Sequence, residues 1–181
     1  MKISKKQLSN IVFAVMIGLL IYPPTKVHLL RWFSFSPSIE NKEELIKITN
    51  TDWTLKGLNT KNINFNKLED KVIFISFWAT WCPPCIAEMP SMKALFDNYK
   101  EKVEFLFITN ENWNTVSGFY KKNGYDFPTY NQVSNSPIEL KSTTIPATFI
   151  LSKKNQILVD KKGAANWNST SIRELLDEHI K

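Results

Sequence analysis

Beyond Cys82 and Cys85 the 181-residue chain has no cysteine, and its only histidines are His28 and His179. That shortage narrows what the cysteine pair is for. A zinc site takes about four nitrogen or sulfur ligands, more than this chain offers. A c-type haem site needs a histidine directly after the second cysteine, and Ile86 stands there. A purely structural disulfide across so short a loop gains little chain entropy. Redox chemistry is therefore favoured over metal binding and over a structural bridge. No metal is expected, and no cofactor beyond the cysteine pair itself.

Long apolar runs are also missing. The longest near the N-terminus is Ile11 to Tyr22, closed by Pro23 and Pro24. A membrane span usually needs about 20 residues, and counting back to Leu8 lengthens the run only slightly. Lys2, Lys5 and Lys6 precede it, the arrangement of a signal peptide or of an uncleaved signal anchor. No small-x-small cleavage site follows, since the sequence there is Tyr-Pro-Pro-Thr-Lys. An uncleaved anchor over residues 1–22 is the favoured reading, with a cleaved signal as the alternative. Lysines on the N-terminal side put that end in the cytoplasm and the remainder outside. Disulfides persist in such an oxidising compartment.

A basic stripe interleaved with aromatics is absent too, so nucleic acid is not an expected partner. The formal net charge is +6. Residues 1–51 carry seven Lys/Arg and three Asp/Glu, hence +4; the remainder carries 16 and 14, hence +2. The excess sits beside the apolar run, where it marks topology and suits lipid headgroups. There is no internal repeat and no low-complexity tract.

What the chain does have is Phe77 to Pro90, FWATWCPPCIAEMP. The preceding run from Val72 shows no alternation, which suits a strand buried on both faces. After Cys82, Ile86, Met89, Met92, Leu95, Phe96 and Tyr99 recur at helical spacing. The cysteines thus sit where a buried strand turns into a helix. Unpaired N–H groups and the positive end of the helix dipole stabilise a thiolate there. Pro83 and Pro84 are tolerated in a first helical turn and donate nothing. The next free N–H is that of Cys85, able to point back at the sulfur of Cys82. Cys82 is expected to be the exposed attacker and Cys85 the buried resolver. No cation lies between them to stabilise the thiolate, which leans towards a reductant.

FWATWCPPCxxEMP resembles the active-site segment of membrane-anchored, thioredoxin-like thiol–disulfide oxidoreductases of the TlpA/ResA kind. The likeness spans roughly Asp52 to Lys181. It implies an α/β thioredoxin-like fold, with a mixed central sheet flanked by helices. It also implies an N-terminal hairpin and an inserted helical segment around Trp113 to Leu140. The expected organisation is an anchor over 1–22, a linker over 23–51 and a thioredoxin-like domain over 52–181. Within the linker, His28 to Phe33 suits either a membrane surface or an irregular connection, and Glu40 to Ile48 a short helix.

Inside the domain, strands are expected at Trp53–Leu58, Ile63–Phe65, Val72–Trp78, Val103–Thr109, Ala147–Leu151 and Gln156–Lys161. Helices are expected at Pro83–Asn98, with a kink at Pro90, and at Trp113–Asn123, ended by Gly124. A helical turn is expected near Pro137–Ser142. Ser171-Ile-Arg-Glu174 has the form of a capping box opening a last helix.

The resemblance assigns further roles. Ile145-Pro146 matches the cis-proline loop of thioredoxin-like proteins, so the backbone of Ile145 would pair with an extended substrate by strand addition. Trp81, Pro83 and Pro84 would join Ile145 and Pro146 in meeting the substrate, although Trp81 also suits ordinary surface packing. Ser76 stands where thioredoxin carries a buried aspartate, which raises the claim of Glu88 as proton acceptor for Cys85. The plainer reading of Glu88 is a solvated residue near a helix N-terminus. Gly163 to Trp167 resembles a loop closing the sheet and reads as structural.

The function expected is an extracytoplasmic, membrane-anchored enzyme that reduces protein disulfides. Its partners would be protein disulfide substrates and a membrane electron donor or other thiol–disulfide partner. Cytochrome c maturation is one task that the resemblance implies. A disulfide oxidant or a non-catalytic binding module is the alternative.

Overall fold

The computed structural model describes residues 5–7, 9–13, 36–39 and 45–181. The expected anchor and linker fall largely outside them. No helix among the described residues is long and apolar enough to cross a membrane.

Seven strands form one mixed sheet in the order β2-β1-β5-β4-β3-β6-β7. They are β1 (Thr54–Gly57), β2 (Ile63–Asn64), β3 (Val72–Phe77), β4 (Val103–Ile108), β5 (Thr129–Gln132), β6 (Ala147–Leu151) and β7 (Ile157–Lys162). β3 runs parallel to β4 and antiparallel to β6, and its first five residues are buried. Having neighbours on both edges and layers on both faces, it can be apolar without alternation. β1 and β2 make the expected opening hairpin.

Side chains alternate between two cores, as a pleated strand requires. Val72, Phe74, Phe105, Phe107 and Ile150 enter one cluster with Met89, Val116 and Leu176. Those three belong to α1 (Pro83–Tyr99), α2 (Trp113–Asn123) and α3 (Thr170–His179). Ile73, Ile75, Leu106, Phe149 and Leu151 enter the other cluster. There they meet Phe65, Leu68 and Leu140 from two 3-10 turns, Phe65–Leu68 and Ile138–Leu140. Helix therefore flanks both faces unequally, with α1, α2 and α3 on one side and short turns on the other.

Local chemistry sets the ends of the helices. Asn112 caps α2 by accepting from the Thr115 N–H at 3.1 Å. Gly124 closes that helix at φ 72°, a conformation that glycine adopts without strain. α1 continues through Pro90.

Four expectations change. Thr129–Gln132 within the inserted segment is a strand, β5, pairing with β4 and β1. α3 starts at Thr170 behind Ser169, so Ser171 lies inside the helix rather than at its cap. Successive small hydroxyl residues leave several starts open, and burial of Ile172, Leu175 and Leu176 selects one. Residues 45–48 form no helix; Lys47 bridges to Gln156 beside β7 instead. Ile48 is 2% exposed and joins the core, so the domain begins ahead of residue 52.

Candidate active site

Strand register assembles the site. Phe77 at the end of β3 pairs with Ala147 at the start of β6. The loop leading to Cys82 and the residue before Ala147 therefore leave the sheet side by side. That residue is Pro146, and the Ile145-Pro146 peptide is cis. α1 begins at the same end of the sheet, with Cys82 as its N-cap residue.

Cys82 and Cys85 are joined as a disulfide, with Cα atoms 5.3 Å apart. The N–H of Cys85 donates to Cys82 Sγ at 3.3 Å. The two prolines produce this arrangement, since Pro83 and Pro84 occupy the first helical turn and have no N–H of their own. The expected contrast in exposure is absent. Cys82 is 2% and Cys85 1% exposed, and both belong to the helix-side core with Trp78, Ala79 and Met89. The bridge keeps the Cys82 sulfur turned towards its partner at the helix start.

Around the disulfide, Trp81 is 71% exposed. Pro83 is exposed, Pro84 and Ile145 are half-buried, and Pro146 is buried. The backbone N–H and carbonyl of Ile145 have no hydrogen bond among the described residues. They remain open to an added strand. A cavity of about 230 Å³ lies at the C-terminal ends of β3, β4 and β5, with Trp81 and Ile145 among its lining residues. Phe77, Ile108 and Leu140 give it apolar walls, and Glu111 and Lys141 give it charge.

Glu88 departs from the solvated reading. It is 2% exposed. Its Oε2 accepts from the Ala165 N–H at 3.1 Å and from the Trp167 indole N–H at 2.9 Å. Its Oε1 has no partner among the described residues. Burial pushes its pKa up to about 8, against the two donors and the charge of Lys161, which pull it down. The carboxyl lies one turn beyond Cys85 on the same helix. A carboxyl that exchanges its proton near neutral pH is matched to a thiol.

Four residues near the site carry roles that the sequence did not single out. Ala165 and Trp167 stood in a segment read as structural, yet both donate to Glu88. Glu111 accepts from the N–H and the hydroxyl of Thr80, in the loop before Cys82. Thr148 donates to Ser76 at 3.2 Å, so two buried hydroxyls pair where a carboxylate was the alternative. An acid two residues before a helix is a local signal for Glu111. The contacts of Trp167 and Thr148 span more than seventy residues and carry no local signal.

The AhpC/TSA family model matches residues 48–160. The thiol–disulfide oxidoreductase ResA of Bacillus cereus is 30% identical over 146 residues, 78% of this chain and 81% of that one. The sporulation thiol–disulfide oxidoreductase A of Bacillus subtilis is 28% identical over 144 residues, 75% of this chain and 83% of that one. Among solved structures, a thiol:disulfide interchange protein of the thioredoxin family from Chlorobium tepidum matches with a TM-score of 0.58. It is 20% identical and covers 75% of this chain and 99% of that one, a likeness of fold.

Proposed function

The chain belongs to the AhpC/TSA family and is a thiol–disulfide oxidoreductase of thioredoxin-like fold, and from that premise we propose that it reduces disulfides in other proteins. The observation that carries the reducing direction is that Pro83 and Pro84 fill the turn between the cysteines with no cation to stabilise the dithiol form further. The N–H of Cys85 aimed at the Cys82 sulfur at the start of α1 supports Cys82 as the attacking sulfur. In the reduced protein that donor and the helix N-terminus stabilise a thiolate on Cys82.

Cys82 thiolate attacks one sulfur of a substrate disulfide. A mixed disulfide forms, and the other substrate sulfur leaves as a thiolate that takes a proton. The Cys85 thiol then passes its proton to Glu88, and its thiolate attacks Cys82 Sγ. The second substrate sulfur leaves and is protonated in turn. Two electrons have moved from the Cys82–Cys85 dithiol to the substrate. The backbone of Ile145 holds the substrate as an added strand, with Trp81, Pro83, Pro84 and Pro146 around it. Another thiol–disulfide partner at the membrane restores the dithiol.

The N-terminal lysines and the apolar run after them support a domain anchored to the membrane on its extracytoplasmic side. Reduced cysteines are needed for haem attachment, so cytochrome c maturation is a task that this chemistry serves. Equilibration of the protein with glutathione or dithiothreitol tests the direction. A reductant gives a potential near or below that of thioredoxin, about −270 mV. A value near that of the strong oxidant DsbA, about −120 mV, would instead make it a disulfide oxidant.

A further inference from the structure

Residues 163–167 touch both ends of the site. The Gly163 N–H donates to the Pro146 carbonyl at 2.8 Å. Two and four residues later, Ala165 and Trp167 supply the donors to Glu88, and both use the same oxygen, Oε2. Ser91, one turn beyond Glu88, ties the segment down. Its Oγ accepts from the Trp167 N–H at 3.1 Å and donates to the Glu88 carbonyl at 2.7 Å. The Trp167 ring is fully buried and stands edge-on to Phe74, with centroids 5.2 Å apart at 89°. Packing therefore fixes the direction of its N–H before any proton moves.

We propose that Trp167 is a positioning residue for disulfide exchange, its indole N–H holding Oε2 of Glu88 so that Oε1 is left to take the Cys85 proton. The proposal rests on the reading of Glu88 as the proton acceptor. A carboxyl with no fixed partner turns about its last torsion and presents either oxygen. Two donors on one oxygen remove that freedom. They also favour the carboxylate over the acid, because a hydrogen bond to the charged form stabilises it. Lys161 of β7 is the charged group acting on Glu88 from another element, and it works in the same direction. Cys85, on Glu88's own helix, is the group it serves. If Trp167 were only a core residue, a bicyclic ring of the same shape without the N–H would do as well.

The test uses the full-length protein with Cys82 held as a mixed disulfide with thionitrobenzoate. Release of the coloured thiol follows attack by Cys85 and is timed from pH 5.5 to 9. Wild type is compared with Trp167→Phe, Glu88→Gln and the double variant. Benzothienylalanine at position 167 keeps the bicyclic shape without the N–H, and so separates loss of the donor from loss of fit. Both changes at position 167 are expected to slow release about three- to tenfold near pH 7 and to move the pH midpoint upward. In a Glu88→Gln background, Trp167→Phe should add nothing. Slowed release in Glu88→Gln, with wild-type rates and midpoint in the benzothienylalanine protein, would overturn the role of Trp167 and leave that of Glu88 standing. Wild-type rates in Glu88→Gln would overturn both.

Discussion

Thr80 gives both its backbone N–H and its hydroxyl to Glu111, one to each carboxylate oxygen, each at 2.6 Å. Glu111 is itself held, since Asn131 Nδ2 donates to the Glu111 carbonyl at 3.1 Å and to the Thr109 carbonyl at 2.6 Å. The loop between β3 and α1 is thus tied to the loop after β4. Trp81 and Cys82 follow Thr80 directly, so the tie sets where the exposed indole stands beside the disulfide.

Glu111→Ala removes both bonds to Thr80. Hydrogen bonds to a charged acceptor contribute about 1.5–3 kcal/mol when buried, and this site is only partly so. A loss of about 1 kcal/mol in stability is expected, with the fold retained. The amide of Thr80 should lose protection in hydrogen exchange, and KM for a protein disulfide should rise more than kcat falls. Unchanged protection at Thr80 would show that something else holds the loop.

Cys85→Ser should trap a protein partner through Cys82, because the resolving thiol is gone and the attacking one remains. Mass spectrometry of the trapped adduct identifies the bridging sulfur. Accumulation of adducts with Cys82→Ser, and none with Cys85→Ser, would reverse the two roles. The near-equal burial of the cysteines makes this a sharper question than sequence alone implied.

What was legible in the sequence is local. Val72–Phe77, the CPPC turn, α1, and α2 with its Gly124 end all follow from short-range patterns and lie where expected. The cis peptide before Pro146 was readable only through the family resemblance, since sequence alone favours trans. β5 was not legible because Thr-Tyr-Asn-Gln is polar; its place is dictated by pairing with β4 and β1. The start of α3 was displaced because several hydroxyl residues in a row each look like a cap. Burial of Glu88 was hidden for a different reason. A glutamate near a helix N-terminus is ordinarily solvated, and the donors that let it lie inside come from a segment more than seventy residues away.

Two glycines should respond in opposite ways to alanine. A Cβ on Gly57 would clash with the Thr60 carbonyl oxygen, and that atom is backbone. Gly57→Ala must shift the β1–β2 turn, and a loss of about 2 kcal/mol or more is expected. Gly118 lies in the middle of α2, exposed, with open space where its Cβ would stand. Gly118→Ala should stabilise by about 1 kcal/mol. Urea unfolding of the two variants checks both, and a neutral Gly57→Ala would mean that the turn is not tight in solution.

The buried carboxyl also makes a prediction about stability against pH. Glu88 has an ordinary value of 4.5 when unfolded, and burial raises it to about 8 in the folded chain. Between those values the folded state keeps a proton that the unfolded state has released. The contribution is therefore fully present below about pH 4.5 and is lost as pH rises through 8. A tenfold difference in proton affinity between the two states is worth about 1.4 kcal/mol, so the loss amounts to a few kcal/mol across the window. Glu88→Gln cannot ionise and should lack this component. Other groups titrate in both proteins and cancel in the difference. The expected result, for the oxidised proteins in urea, is that the stability of Glu88→Gln relative to wild type increases steadily from about pH 5 towards 8 and then levels off. A constant difference across that range would mean that Glu88 is ionised throughout. In that case the Trp167 and Ala165 donors, with Lys161, would outweigh burial.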